Sequence, residues 1–289
     1  MNIEDVLTIK GFMSKFAIWI MLSAMFAGTP LLATAKKPLK VQIVTDFAPQ
    51  ISGDSQNIAT QFMLDIEKQL NGAISLNFIP ASRLREWQQL HTMQDVCLYN
   101  KAKTPERLKN ALFNQYPIMA FPANRLVVYN HPELPENISL DDAIKKYQLI
   151  IGITAGRAYG SEIDSYISKH PDSFMTLAGT TSAFRLSQML FQNKLDAIVE
   201  YSAVFISRHG NDPRTANIRY LSLDNSNKAV FGYIACSQSE QGQQAISLFD
   251  QALQTPEIQQ VIINSHKQTF AAPEQALLIK ALKDAFTTH

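Results

Sequence analysis

Val96-Cys97-Leu98-Tyr99, followed within a few residues by Lys103-Thr104-Pro105-Glu106-Arg107, reads as a short buried strand running into the start of a helix. Threonine and proline ahead of a helix, with arginine near its first turn, make a seat for a carboxylate. The helix start offers unpaired N–H groups and the positive end of its dipole, and the planar guanidinium can grip both oxygens. A second reading stands beside it, in which Thr104 caps the helix, Pro105 occupies its first position, and Glu106 and Arg107 are a solvated pair.

Working outward, the flanking sequence alternates short strand-like and longer helix-like segments, the signature of an α/β architecture with mainly parallel sheets. Leu39 to Thr45 is strand-like, and Asp54 and Ser55 offer caps to a helix whose Ile58, Phe62, Ile66 and Leu70 share one face. Ile74, Leu76 and Phe78 alternate as a strand up to Pro80, a helix follows from about Ser82 to Met93, and Leu126 to Tyr129 is expected to close this lobe as a further strand. His131-Pro132-Glu133-Leu134-Pro135 is a turn-rich break, after which a second series begins. Ser139 and Asp142 form a capping signature for a helix to about Lys146; Leu149 to Thr154 is a buried strand; Gly156 and Gly160 flank a helix start. A helix over Thr181 to Asn193, a strand over Leu195 to Val199, a strand over Val230 to Ala235 and three closing helices complete the pattern. The expected organisation is a leader over 1–35, a first lobe over 36–130 and a second lobe that starts at 131, with a small-molecule cleft between the lobes.

The chain has 289 residues and a formal charge of +1, which suits an ordinary globular protein and carries no basic excess for nucleic acid. Lys10 and Lys15 precede an apolar run from Phe16 to Leu32, and Ala33-Thr34-Ala35 supplies small residues where a signal peptidase reads. The expectation is a signal peptide cleaved after Ala35 and a periplasmic mature protein. Glu4 and Asp5 are unusual for a leader, so either Met1 or Met13 serves as the start. In an oxidising compartment Cys97 and Cys236 either pair or pack as free thiols, and the sequence leaves both open. Two cysteines and six scattered histidines show no metal-ligand spacing, and no cofactor is expected.

Taken with the order of elements, Pro80-Ala81-Ser82-Arg83, Val96-Cys97 and Lys103 to Arg107 resemble the bacterial extracellular solute-binding proteins of the amino-acid type, family 3, and within them a poorly characterised proteobacterial branch. The resemblance covers about Leu39 to Ser265. It implies a two-lobed type II periplasmic-binding-protein fold, with the second lobe over 131–223 and the chain rejoining the first lobe over 224–289 from Val230 onward, and hinge closure on a small amino-acid-like, carboxylated or zwitterionic ligand. It implies that Arg107, with Thr104 as helper, holds the ligand's carboxylate. Glu200, after Leu195-Asp196-Ala197-Ile198-Val199, would meet the ammonium group. Gly156 in the Gly152 to Gly160 loop would offer backbone N–H groups; Thr180 is a ligand-binding candidate or an N-cap, Arg83 a ligand-binding candidate or part of a structural salt bridge, and Phe47 a further ligand-binding candidate. Arg157 is read as a second positive contact or a water-facing loop residue, and Trp87 as a second aromatic candidate or as packing. Glutamate stands at 200 where the family usually has aspartate, one methylene longer.

The implied partners are a membrane transporter permease of the ABC type or a sensor kinase or cyclase, with the binding protein itself a monomer and not an enzyme. Two other classes compete. One is a dehydratase-like enzyme on the same fold, with Glu200 as an acid of raised pKa and His91, His131 or His209 assisting. The other is a module whose cleft has become a protein-interaction surface.

Overall fold

A computed structural model describes residues 37–46, 57–223, 228–272 and 274–288. The expected leader over 1–35, the candidate Phe47, and the caps Asp54 and Ser55 therefore lie outside the described residues. Residues from Lys37 onward form one compact unit.

In chain order the elements are β1 (Leu39–Thr45), α1 (Ile58–Gln69), β2 (Ile74–Pro80), α2 (Arg83–Thr92), β3 (Val96–Lys101), α3 (Pro105–Asn110), β4 (Leu112–Phe113), β5 (Met119–Phe121), β6 (Arg125–Tyr129) and β7 (Asn137–Ile138). They continue with β8 (Ile151–Thr154), α4 (Ser161–Lys169), β9 (Phe174–Leu177), α5 (Ser182–Phe191), β10 (Ala197–Glu200) and α6 (Ser202–His209). The chain ends through β11 (Ile218–Leu223), β12 (Val230–Cys236), α7 (Glu240–Leu253), α8 (Pro256–Thr269) and α9 (Glu274–Thr287). Between β7 and β8 the expected helix is a single wide turn: Ser139 Oγ accepts from Asp142 N at 2.9 Å, and Tyr147 N donates five residues back to Asp142 O at 3.0 Å.

Two sheets result. The first runs β2-β1-β3-β12-β4, with β5 also on β12; the second runs β7-β11-β6-β10-β8-β9. β1 is parallel to β2 and β3, and β12 returns antiparallel against β3. Helices cover both faces of each sheet, so successive strand residues are apolar on both sides. In β3, Cys97 and Tyr99 pack with Phe62, Ile66 and Phe249 on one face, while Val96 and Leu98 pack with Leu90 on the other. In the second sheet Leu126 and Val128 face one core and Val127 the other.

One strand changes lobes. Leu126 to Tyr129, expected to close the first lobe, lies in the second sheet, antiparallel to both β10 and β11. Its apolar run marks it as buried, but which sheet it joins is decided by partners about 70 to 90 residues later in the chain, and local pattern carries no such information. The two cysteines, left open by the sequence, are directly opposed on β3 and β12 with Cα atoms 4.0 Å apart, and form a disulfide.

Candidate functional site

A cleft of about 430 Å³ lies where the two sheets' strand ends meet. Thr45 and Asp46 reach it from the end of β1, Tyr99 to Ala102 from the end of β3, Gly156 to Ala158 from the loop after β8, and Glu200 and Tyr201 from the end of β10. Binding at the carboxyl ends of strands is the general habit of open α/β sheets. Arg83 and Trp87 of α2, Arg107 of α3, Arg208 of α6 and Phe270 after α8 complete the wall.

The floor near β1 is an ionic chain. Glu86 is fully buried; its Oε2 accepts from Lys101 Nζ at 2.5 Å and its Oε1 from the Asp46 amide at 2.9 Å. Asp46 in turn accepts from Arg83 Nε at 2.9 Å. Arg83 thus reaches the cleft while paired to a carboxylate of its own lobe.

At α3 both readings of the Lys103 to Arg107 stretch are partly realised. Thr104 Oγ1 accepts from the Arg107 amide at 3.2 Å and Pro105 opens the helix, so Thr104 is a cap and does not line the cleft. The Arg107 side chain does line it. Its guanidinium lies 4.6 Å over the Trp87 ring and donates to Ala102 O at 3.3 Å and, across to the other lobe, to Gly156 O at 3.0 Å. Burial pulls its pKa down, opposed mainly by Asp164. Gly156 therefore shows the cleft a carbonyl acceptor where an N–H was expected. Its φ of +75° is left-handed, and a Cβ there would stand 3.1 Å from Leu84 Cδ2. The amides of Tyr159 and Gly160 ahead of α4 are already bonded to Asp164, at 2.8 and 3.2 Å.

Glu200 is buried in the cleft wall, and its carboxylate is paired within the chain. Its Oε1 is 2.5 Å from Arg157 Nη1, its Oε2 is 3.8 Å from Arg208 Nη1, and Oε1 also accepts from the Tyr201 amide at 2.9 Å. Burial alone would raise its pKa; Arg157, then Arg208 and the Tyr201 amide, outweigh it and hold the carboxyl below its ordinary value. Arg157 stands in the cleft wall but is turned away from water: its side chain is 6% exposed. Arg208 Nη1 is buried with no hydrogen-bond partner.

Of the sequence candidates, Arg83, Arg107, Gly156 and Glu200 meet in this cleft. Thr180 is exposed on the turn before α5 and does not. None of the three histidines weighed for catalysis lines it: His91 is exposed on α2, His131 contacts Glu133 and Asp196, and His209 is packed against Phe184, Phe191 and Phe205. The residues that sequence reasoning missed are Arg208, Tyr201 and Lys101. Arg208 sits on α6, whose Ala203, Val204, Ser207 and Arg208 recur at helical spacing toward the cleft, a face too polar to register as an apolar stripe.

No family model matches the chain, and no curated protein matches it. Solved structures do. An ancestral arginine-binding protein bound to glutamine is 18% identical, with a TM-score of 0.60 over 81% of this chain and 98% of that one. A structure from work on glutathione import by GshT and the cystine ABC importer TcyBC of Streptococcus mutans is 12% identical, with a TM-score of 0.60 over 80% and 94%. The ancestral amino-acid-binding protein AncCDT-1, a precursor of cyclohexadienyl dehydratase, is 13% identical, with a TM-score of 0.58 over 80% and 96%. At these identities the likeness carries the fold, and the chain has the two-lobed α/β fold of the periplasmic binding proteins.

Proposed function

We propose that this chain is a solute-binding protein that captures a small organic carboxylate in the cleft between its lobes and presents it to a membrane transporter or sensor. The observation that carries this reading is the sign of the cleft. Arg83, Lys101, Arg107, Arg157 and Arg208 line it against Asp46 and Glu200, with Glu86 beneath Lys101, and the buried Nη1 of Arg208 has no hydrogen-bond partner. A buried guanidinium left unsatisfied is costly, and an entering oxyanion would relieve it through charge-assisted hydrogen bonds. The described passage between the sheets at 122–124 is where a hinge would act, closing the lobes on the ligand as periplasmic binding proteins do. Two neighbours in fold bear names of amino-acid binders, which supports a solute-binding role in general terms. A general-acid role for Glu200 loses support, because that role needs a raised pKa and the arginines lower it.

The test is a thermal-shift screen of the mature protein against amino acids and organic acids, with Arg107→Ala and Arg208→Ala beside it. A ligand at a hundred times its dissociation constant should add ~2.7 kcal/mol of stability. The expected result is a hit among the carboxylates, weakened in both variants. A folded protein that responds to no acid would sink the reading.

A further inference from the structure

Both carboxylates lining the described part of the cleft carry an arginine of the same chain, Asp46 with Arg83 and Glu200 with Arg157. The second pair is the more enclosed, with the arginine 6% and the glutamate 5% exposed. Arg157 Nη1 is 2.5 Å from Glu200 Oε1, and Nη2 donates to Asn124 Oδ1 at 3.1 Å. The guanidinium carbon lies 4.8 Å from the centre of the Tyr159 ring and 4.9 Å from that of Tyr201. Asn124 is itself held, donating to Tyr159 O at 2.7 Å, and Tyr201 stacks on Phe121 of the first lobe with centroids 4.5 Å apart. A cation over aromatic rings, ion-paired in a dry pocket, is how a protein holds a cationic guest. Here the chain supplies the guest.

The remaining charge has one sign. Glu86 answers Lys101, Asp46 answers Arg83 and Glu200 answers Arg157. Arg208 shares Glu200 with Arg157, its Nη1 3.8 Å from Oε2 and without a hydrogen bond, and Arg107 gives its hydrogen bonds to two carbonyls, so that three carboxylates stand against five cations among the described residues. An ammonium group entering this cleft finds the acidic pole at Glu200 taken and meets Arg107 and Arg208, which have between them only a share in Glu200. A carboxylate meets the same two groups favourably, and Trp87, Phe121, Phe231 and Phe270 offer its apolar body a wall.

We propose that the cleft selects organic carboxylates that carry no ammonium or other cationic group, because the Arg157 side chain fills the enclosed acidic pole at Glu200 and the other lining carboxylate, Asp46, is paired to Arg83. This rests on the solute-binding reading above and names the ligand class it takes.

The experiment uses matched pairs differing by one amino group: phenylalanine with 3-phenylpropanoate, tryptophan with indole-3-propanoate, and glutamate with glutarate. Each is titrated calorimetrically into the wild-type mature protein and Arg157→Ala, with Arg157→Gln as the alternative should the alanine variant not fold. In the wild type the deaminated member of at least one pair should bind more tightly by about tenfold or more. In the variant the amino acid should gain by a similar factor. Amino acids that bind the wild type as well as their deaminated partners overturn the proposal. Ethylguanidinium gives a readout independent of any acid: it should bind Arg157→Ala, and neither the wild type nor Arg157→Ala/Glu200→Gln. No binding to a folded Arg157→Ala overturns the filled-pole assignment. A wild type that takes neither member of any pair counts against the solute-binding reading and the ligand class together, while the ethylguanidinium result still decides what Arg157 does.

Discussion

Glu200 ties its own protonation to the integrity of the fold. An unfolded glutamate takes up a proton near its ordinary value of 4.5, whereas the folded one, beside Arg157 and Arg208, resists to lower pH. A depressed carboxyl pKa contributes stability that is complete above the unfolded value and drains away as pH falls through the folded one. Glu200→Gln should therefore cost about 3 kcal/mol or more at neutral pH, since it strands two buried guanidinium groups. Its urea-unfolding stability should also fall less steeply than the wild type's as pH drops below the ordinary glutamate value of 4.5. Equal slopes would mean that the pair is not what acid attacks first. At this scale the sequence was half legible. The residue types at Arg83, Arg107, Gly156 and Glu200 were readable as belonging to a cleft, but their partners were not, because Glu200 and Arg157 stand 43 residues apart and meet only through the ends of β10 and β8.

Among the elements, β3 and β12 are the most consequential pair. They join the early part of the first sheet to the segment that returns from the second, and Cys97 and Cys236 staple them across 139 residues of sequence. Cross-linking so large a loop restricts the unfolded chain, so reducing it, or replacing both cysteines by alanine, should lower stability by about 2–5 kcal/mol. Denaturant melts with and without reductant measure this, and unchanged midpoints would contradict it. The strands β1, β2, β3 and β12 and the helices α1, α2, α7 and α8 were legible because each presents a regular apolar period beside a turn or cap. β9, β11 and α6 were not. α6 begins two residues after β10 ends, and β9 is only four residues long, so neither fills the window over which a period shows. Alternating Leu221 and Leu223 were the available signal for β11.

For the whole molecule, the lobes meet through Arg107 on the Gly156 carbonyl, Ser202 on Glu274, and Tyr201, Ala203 and Val204 packed against the first core. Relative motion is the ordinary behaviour of lobes joined by short passages, and a ligand that bridges Arg107 and Arg208 should draw them together. Small-angle scattering should show a smaller radius of gyration with saturating carboxylate, and the change should disappear in Arg208→Ala; no change in the wild type would argue against closure. Local chemistry in the sequence determined the alternation of strands and helices, the two series of elements, the capped start of α3 and the arginine that follows it, because periodicity, caps and turns act over a few residues. Only the tertiary structure decided which sheet β6 joins, that the cysteines face each other, and that Glu200 is answered by Arg157. Each of these depends on bringing distant segments within a few ångströms, and the free energy of such contacts comes from burial and pairing that no local stretch of chain encodes.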